Sequence, residues 1–408
     1  MRNPVVHARE LVQVAAPALG FTERLVRAQL GGLASGELEL EQDGRRRTYG
    51  APATDGLAAR AVVVRPRVWR RIALGGTLGA AEAFVDGDWT TDDVTSAVRV
   101  MLRNRAVLDG IDGGVRKVGR LAAAVQHALR ANTPRNARQN IEAHYDLGNN
   151  FFAAMLDPTM TYSAAIFEPG DTLEAASVRK LELLCEKLGL SSRDHLLEIG
   201  TGWGSLAIHA ARTRGCRVTT TTISPSQARL ARERIAAAGL TDRITVLERD
   251  YRALTGRYDH IVSCEMIEAV GWEYVPTFFA SCAGLLAPNG RLAMQAITIP
   301  DAEEARARGE VDFIKAHIFP GSSIPSVTSL CTAAARASDL RLRALTDHTP
   351  HYATTLAAWR TNLAPHRAAV IARYGERFWR LWSFYLGYCE AGYRERYLGS
   401  VQLLFERP

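Results

Sequence analysis

Four residues between positions 198 and 204 have the types and spacing of a site for a small cationic ligand. In the segment LLEIGTGWGSL, three glycines (Gly200, Gly202 and Gly204) follow a run of apolar residues, and Glu198 precedes the first of them by two positions. Glycines at a strand-to-helix turn adopt unusual dihedral angles and let a ligand approach the main chain. The spacing differs from the G-x-G-x-x-G of dinucleotide enzymes. An acid beside this turn indicates a ligand carrying an ammonium and a sulfonium rather than a pyrophosphate.

The next two strand-like segments supply the remaining polar groups of this predicted site. The segment TTISPSQ lacks the acid that commonly holds ribose hydroxyls, so Thr222, Ser224 and Gln227 are the polar groups available there. Further along the chain, Asp250 and Tyr251 follow the segment ITVLE. We expect these two residues to cover the edge and the face of an adenine.

The elements that must position these residues alternate between strand and helix patterns. From about residue 140, apolar strand-like segments such as HLLEIG and YDHIVSC are separated by helical segments such as LEAASVRKLELLCEKLGL. Alternation at this spacing predicts an α/β fold with a doubly wound, mostly parallel sheet.

The first part of the chain has a different pattern of predicted helices, strands and turns. QDGRRR predicts a hairpin turn, VVV before Pro66 predicts a strand, and a glycine pair interrupts the helical segment that follows. We therefore predict a smaller N-terminal α+β domain over residues 1–125 that docks on lipid, a linker over 126–139, and a catalytic domain over 140–408.

Composition limits the kinds of site and partner. The 408 residues have a formal charge of +7, which favours an anionic partner, and both nucleic acid and anionic lipid fit that charge. The sequence has no N-P-P-[YF]-like tetrad for a flipped base, so we predict no nucleic-acid partner. With neither a sustained apolar span nor a signal-peptide core, we expect a cytoplasmic protein. The six cysteines are scattered without metal-ligand spacing, so we predict no metal site.

Seven segments together carry a resemblance to a known family. Their order and spacing from about residue 138 to the C-terminus resemble cyclopropane-fatty-acyl-phospholipid synthases and mycolic acid cyclopropane synthases. The N-terminal domain is more loosely similar to that of longer bacterial members. The segments are EAHYDLGNNFFAAMLDPTMTYSAAIFE, LLEIGTGWGSLA, TTISPSQ, EMIEAVG, IFPGSSIPS, HYATTLAAW and YLGYCEAGYRER.

The resemblance implies a class I S-adenosylmethionine-dependent methyltransferase fold, S-adenosylmethionine as cofactor and unsaturated phospholipid acyl chains as substrate. It also implies a bicarbonate held by Glu268, Tyr352 and the backbone of Ile297, and a catalytic role for Cys389, although a buried structural thiol is physically the better reading of Cys389. The cofactor contacts it implies are Tyr145, Tyr162, Ser163, Glu198, Gly200, Gly202, Trp203, Gly204, Thr222, Ile223, Ser224, Gln227, Asp250 and Tyr251.

Three positions depart from the family pattern around the expected base. Ala164 replaces a cysteine, Gln295 replaces a histidine, and Ala269 replaces a second histidine. Gln295 can donate a hydrogen bond to an oxyanion but cannot carry a proton. The transfer of one carbon is therefore expected to be intact, while the fate of the resulting cation stays open between a cyclopropane and a methylene- or methyl-branched chain.

The chemistry itself requires alignment, cation stabilisation and a base. An alkene is a weak nucleophile, so the sulfonium methyl must be held against it with water excluded. Aromatic faces stabilise a cation by about 0.5–2 kcal/mol each. Ring closure then needs a base, for which Glu268 is the candidate, directly or through bicarbonate. The aromatic candidates are Tyr145, Phe167, Tyr352, Trp359 and Tyr385.

An acyl chain must reach this site from a membrane. The segment FIKAHIFPGSSIPS is suited to line an entrance, and the basic stretch of residues 103–138 is suited to meet anionic headgroups at the inner membrane face, although a solvated helix explains that stretch equally well. The resemblance also implies a homodimer. Three alternatives are weighed beside this activity: methylation of a soluble small molecule, methylation of nucleic acid, which the missing tetrad argues against, and a non-enzymatic lipid-binding protein.

Overall fold

The computed structural model describes residues 20–113 and 147–408, and the first range contains a small α+β unit. Its four strands form a sheet in the order β2-β1-β3-β4, in which β1 pairs antiparallel with β2 and parallel with β3. The elements are α1 (Phe21–Leu30), β1 (Gly36–Gln42), β2 (Arg45–Ala51), β3 (Ala58–Val63), α2 (Arg67–Val85), β4 (Trp89–Thr91), α3 (Val94–Arg103) and α4 (Arg105–Gly113).

Local sequence explains the breaks in this unit. Asp43 and Gly44 both have positive φ angles, 51° and 72°, and such angles at both central residues close a two-residue hairpin between twisted strands. The predicted hairpin is therefore confirmed. The predicted glycine break is also confirmed, because Gly76 has a φ of 60° inside α2 and kinks that helix. β3 ends before Pro66, as predicted.

The second range contains a seven-stranded sheet in the order β10-β11-β9-β8-β5-β6-β7. The five strands from β9 to β7 are parallel to one another, whereas β11 and β10 are antiparallel to their neighbours. This confirms the predicted doubly wound α/β fold. The strands are β5 (His195–Ile199), β6 (Arg217–Thr222), β7 (Ile244–Glu248), β8 (Tyr258–Cys264), β9 (Leu286–Thr298), β10 (Arg341–Asp347) and β11 (Gly399–Glu406).

Helices cover both faces of this sheet because adjacent residues on its strands face opposite sides. Leu196 and Val262 pack in one buried cluster, while Leu197 and Ile261 pack in the other. The helices are α5 (Asn149–Met155), α6 (Leu173–Leu188), α7 (Ser205–Arg214), α8 (Pro225–Ala237), α9 (Val275–Leu285), α10 (Asp301–Gly309), α11 (Phe313–His317), α12 (Val327–Ala337), α13 (Thr349–Leu363), α14 (Arg367–Tyr374) and α15 (Glu376–Arg394).

The strand order places a topological switch point between β5 and β8. The chain runs from β5 outward through β6 to β7 in one direction, and from β8 through β9 in the other. Ligands of such sheets bind at the carboxyl ends of the two central strands. The glycine turn after Ile199 and the residues after Cys264 lie at that position.

No helix within the two described ranges is long and apolar enough to cross a membrane.

Helix α15 joins the two units through a buried carboxylate. Glu390 is 3% exposed and accepts hydrogen bonds from Thr95 of α3 at 3.1 Å and from the Arg360 guanidinium at 2.6 Å. Arg360 also donates to Asp93, the residue that precedes α3, at 2.9 Å. This network holds the N-terminal unit against helices α13 and α15 of the second unit.

Replacing Glu390 should therefore destabilise the fold. We expect Glu390→Ala to lower the free energy of unfolding by about 2–4 kcal/mol, because it removes the buried one of the two carboxylates that pair with the partly buried Arg360. Urea titration monitored by tryptophan fluorescence measures this change. The control is Glu376→Ala on the same helix, whose exposed ion pairs should contribute less than about 1 kcal/mol. Equal losses for the two variants would contradict this assignment.

Candidate active site

The glycine turn forms the floor of a cleft at the end of β5. Gly200 and Gly202 have φ angles of 104° and 51°, in the region that favours glycine. A Cβ added to Gly202 would meet no other atom within 4 Å, so the main chain there faces open space. The backbone is thus left bare for a ligand, as the sequence predicted.

Most of the predicted cofactor contacts surround this cleft. Its cavity measures about 160 Å³ and reaches from the turn to the segment that precedes α6 and to the start of α8. The predicted residues that line it are Tyr162, Ser163, Glu198, Gly200, Gly202, Trp203, Thr222, Ile223 and Gln227.

The other predicted contacts lie elsewhere. Gly204 is the N-terminal flanking residue of α7, and Ser224 caps α8 by accepting a hydrogen bond from the Gln227 amide. Asp250 is paired with the Arg252 guanidinium at 2.6 Å, and the ring of Tyr251 packs edge-on against a buried phenylalanine. None of the four lines the cavity described above. Tyr145 lies outside the described residues.

Two buried ionisable side chains lie beside the cleft. Glu198 is 4% exposed and accepts a hydrogen bond from Thr220 at 2.6 Å, and burial raises its pKa to about 8. Lys180 of α6 is 1% exposed and donates to the Ser163 hydroxyl at 2.9 Å. Lys180 therefore orients Ser163, and its positive charge near Glu198 partly offsets the effect of burial on the pKa of that carboxyl.

A second cavity lies beneath the first and is mainly apolar. It measures about 460 Å³, within the range of roughly 300–1,000 Å³ usual for ligand pockets. One end lies inside the core of the N-terminal unit, beside Leu38 and Trp69. The other end reaches Glu268 and Tyr352 of the catalytic unit. The segment FIKAHIFPGSSIPS, predicted to line an entrance, contributes Ile314, Lys315, Phe319, Pro320, Ser322, Ser323 and Ile324.

The two cavities share two lining residues, Tyr162 and Glu265. The Tyr162 hydroxyl lies 2.9 Å from the hydroxyl of Tyr385, which also lines the apolar cavity. A ligand on the glycine turn and an apolar chain in the second cavity would therefore meet at this junction.

Glu265 is held at the junction by three donors. Its Oε1 accepts from the backbone N–H of Ala164 at 2.9 Å and from Gln295 Nε2 at 2.8 Å, and its Oε2 accepts from the Tyr352 hydroxyl at 2.6 Å. Burial raises its pKa, and these hydrogen bonds oppose that shift. Two predicted catalytic residues, Gln295 and Tyr352, thus bind a carboxylate that the sequence analysis did not single out.

Glu268 lies one turn further on and has a free oxygen. It is 8% exposed, its Oε1 accepts from the Ile297 N–H, and its Oε2 is buried without a hydrogen-bond partner. Burial and the neighbouring charge of Glu265 raise its pKa to about 8. Glu268 is therefore mostly neutral at pH 7 and faces the apolar cavity.

This shift makes stability depend on pH. Because folding raises the pKa of Glu268 from 4.5 to about 8, its contribution is present below pH 4.5 and is lost as pH rises toward 8. We expect the melting temperature to fall between pH 5.5 and 8, and to fall less in Glu268→Gln, in which Glu198 still titrates. Differential scanning calorimetry measures both slopes, and identical slopes would contradict the shift.

The remaining predicted catalytic groups have structural partners. Gln295 also donates to the Ala164 carbonyl at 3.1 Å, and its Oε1 accepts from Gln402 at 3.0 Å. Cys389 lines the apolar cavity, and burial raises the pKa of its thiol. A thiol in such surroundings is poorly ionised, so the geometry gives it no feature of a nucleophile.

The aromatic candidates separate into two groups. Tyr352 and Tyr385 line the apolar cavity, and the Tyr352 ring stacks on Tyr393 with centroids 4.4 Å apart. Trp359 and Phe167 line neither cavity, and Trp359 instead packs behind Tyr162 at 5.1 Å. Tyrosine faces are therefore the ones available to a cation at the junction.

Of the basic stretch, the described part shows paired arginines. Arg103 binds Asp55 and Glu395, and Arg105 binds Glu303 at 2.8 Å while its guanidinium stacks over Tyr397. These two side chains hold the two units together. The rest of the predicted headgroup-binding stretch, together with the linker, lies outside the described residues.

Comparisons with known proteins agree with this architecture. The sequence profile described as mycolic acid cyclopropane synthetase matches residues 132–403. A tuberculostearic acid methyltransferase of Mycobacterium tuberculosis is 38% identical over 361 residues, 83% of this chain and 81% of that protein. A cyclopropane-fatty-acyl-phospholipid synthase of Escherichia coli is 33% identical over 350 residues, 85% of this chain and 87% of that protein.

Solved structures extend the likeness to three dimensions. The structure of a mycolic acid cyclopropane synthase complexed with SAH and CTAB aligns with a TM-score of 0.63 at 30% identity. It covers 66% of this chain and 98% of that one. These matches show that the chain, whose glycine-floored cleft meets an apolar cavity, belongs to the mycolic acid cyclopropane synthetase family of S-adenosylmethionine-dependent methyltransferases.

Proposed function

We propose that this protein transfers the methyl carbon of S-adenosylmethionine to the double bond of an unsaturated phospholipid acyl chain. The observation that carries the proposal is the junction of the two cavities at Tyr162 and Glu265. The cleft above it has polar groups and bare glycine backbone, and the cavity below it is mainly apolar. A soluble small acceptor would have no use for an apolar cavity that extends into the N-terminal core.

The residues of the cleft fit the cofactor. The bare backbone at Gly202 leaves room for its amino acid part, and the polar side chains of Thr222 and Gln227 are suited to the ribose hydroxyls in place of an acid. When bound, the cofactor supplies an electrophilic methyl group. The protein's part is to align that group with the double bond at the junction and to exclude water.

Two products are consistent with this site. A cyclopropane forms when the new methyl group loses a proton and its carbon bonds to the adjacent cation. A methyl-branched alkene forms when a chain carbon next to the cation loses a proton, and a methylene branch forms when a hydride first shifts to the cation and the methyl group then loses a proton. The E. coli relative's name supports the ring, whereas the name of the M. tuberculosis relative supports a branched chain. The replacement of the family histidine by Gln295, which cannot carry a proton, is the observation that keeps the branched product as a second candidate.

Mass spectrometry of reacted lipid tests the proposal. Purified protein is incubated with S-adenosylmethionine and vesicles of an unsaturated, partly anionic phospholipid. We expect a mass gain of one CH2 on the acyl chain, and hydrogenation followed by gas chromatography distinguishes the ring from the branched alkene. Turnover of a soluble acceptor, with none on vesicles, would overturn the proposal.

The charge of the protein supports a peripheral encounter with an anionic membrane surface at the cytoplasmic face. If electrostatic attraction contributes, turnover on vesicles should fall as salt is added, because surface charges are screened over about 8–10 Å at 0.1–0.15 M ionic strength.

A further inference from the structure

We propose that Glu265 is the general base of the reaction, and that its carboxylate occupies the position in which other members of the family would bind a free anion. This inference rests on the proposed function. It starts from geometry: Glu265 is the one carboxylate, among the described residues, that lines both cavities. It therefore lies where the transferred carbon and the acyl chain meet.

The donors around Glu265 are those of a small anion site. The backbone N–H of Ala164, the Gln295 amide and the Tyr352 hydroxyl converge on its two oxygens at 2.6–2.9 Å. The family resemblance connects the same tyrosine with bicarbonate, and the other two positions are those at which this chain departs from the family. The side chain of Glu265 now fills the place toward which these donors point.

The backbone directs the side chain there. Glu265 has a φ of 49°, an uncommon conformation for a residue other than glycine, and its N–H donates to the Gln295 carbonyl at 2.8 Å. Backbone outliers of this kind cluster at functional sites because the surrounding structure must hold them. The strained turn is what brings the carboxylate under Ala164 instead of toward solvent.

Glu268 is less suited to take the proton. It lines only the apolar cavity, and its pKa is raised partly by the charge of Glu265. Of two neighbouring carboxyls, one with three donors is the better anion and the other is the better neutral acid. Glu265, with three donors and a place in both cavities, is thus the better placed of the two carboxylates to accept the proton.

The step balances without a further reagent. The π electrons of the acyl chain form the new C–C bond, the bond between sulfur and the methyl carbon breaks with its electrons remaining on sulfur, and the chain becomes a carbocation. A C–H bond of the new methyl group, or of a chain carbon next to the cation, then breaks and its proton moves to Glu265. The electron pair of that bond forms either the third side of the ring or a double bond.

The first experiment removes the base while preserving the shape of the site. We expect Glu265→Gln to lower turnover by about 100-fold or more, the usual contribution of a general base, with S-adenosylmethionine affinity by calorimetry changed less than about threefold. The matched control is Glu304→Gln, a buried and hydrogen-bonded carboxylate outside both cavities, which should retain full turnover. Wild-type-like turnover in Glu265→Gln would overturn the proposal.

The second experiment reopens the anion site. Glycine tolerates the positive φ, so Glu265→Gly should fold, and it leaves three buried donors without an acceptor. We expect 13C-labelled formate or bicarbonate to bind this variant and not the wild type in titrations by NMR without cofactor, and to restore part of its turnover. Wild-type turnover should change less than about twofold when bicarbonate is stripped from the buffer.

These readouts separate the two proposals. Anion binding to Glu265→Gly is measured without substrate, so it tests the filled anion site even if the acyl substrate has been assigned wrongly. If neither protein binds formate or bicarbonate, or if the wild type requires bicarbonate, Glu265 does not take the anion's place. If no wild-type preparation methylates phospholipid, the proposed function fails while the anion result still stands.

Discussion

Ala97→Trp should lower turnover on a long unsaturated acyl chain by about 100-fold while leaving S-adenosylmethionine affinity unchanged. Ala97 lies on α3, is buried and lines the apolar cavity inside the N-terminal unit. An indole there would fill the space that the chain needs, so its double bond would stop short of the junction. Displacement of a reacting group by about 1 Å can cost 100-fold in rate. Vesicle turnover and cofactor calorimetry are the two measurements.

The control makes the same substitution on the outside of the same unit. Ala106 is exposed on α4 and lines neither cavity, so Ala106→Trp should keep normal turnover. A graded set, Ala97→Val and Ala97→Leu, should shift preference toward shorter chains or double bonds nearer the methyl end. If Ala97→Trp folds, binds the cofactor and turns over long chains normally, the acyl chain does not occupy this cavity.

The pattern of the sequence was enough to predict the fold and most of the residues that line the glycine-floored cleft. The apolar run ending at Ile199, followed by three glycines, predicts a buried strand that turns tightly at its carboxyl end, and the structure has this strand and turn. The strand-helix alternation then places neighbouring strand ends at one edge. Those rules are local and periodic, which is why they predicted Gly200, Gly202 and Gln227 correctly as residues of one cleft.

The arrangement of the two carboxylates after β8 depended on information that no local rule contains. Glu265 and Glu268 both follow β8, and which of them turns into the junction is decided by the positive φ of Glu265 and by donors from distant segments. Position at a strand end could have raised Glu265 as a candidate. Nothing in the amphipathic pattern of α6 shows that Lys180 would reach Ser163.

The hollow core of the N-terminal unit was also beyond sequence reasoning. Alternation in β1 predicts that Leu38 and Leu40 face inward, and they do. Whether the inward-facing side chains fill the interior depends on how their total volume compares with the space that the helices and strands of the whole unit enclose. Asp250, predicted to contact an adenine, pairs with the guanidinium of Arg252, two residues along the chain.

A single methyl group at Gly202 should weaken S-adenosylmethionine binding by about 10- to 100-fold. In Gly202→Ala the new Cβ would project into the open space of the cleft, where it meets no protein atom within 4 Å and hence displaces ligand. Loss of close approach to the backbone costs about 1–3 kcal/mol for each buried hydrogen bond that it weakens. Isothermal titration calorimetry measures the dissociation constant directly.

Backbone strain must be separated from this steric effect. Gly239 has a φ of 67°, close to the 51° of Gly202, and a Cβ there also meets nothing within 4 Å, but it lies on an exposed turn away from the cleft. Gly239→Ala should therefore lose a similar small amount of stability, about 1 kcal/mol, and bind S-adenosylmethionine normally. If both variants bound equally well, the ligand would not approach the glycine turn; if both lost affinity, strain rather than contact would be responsible.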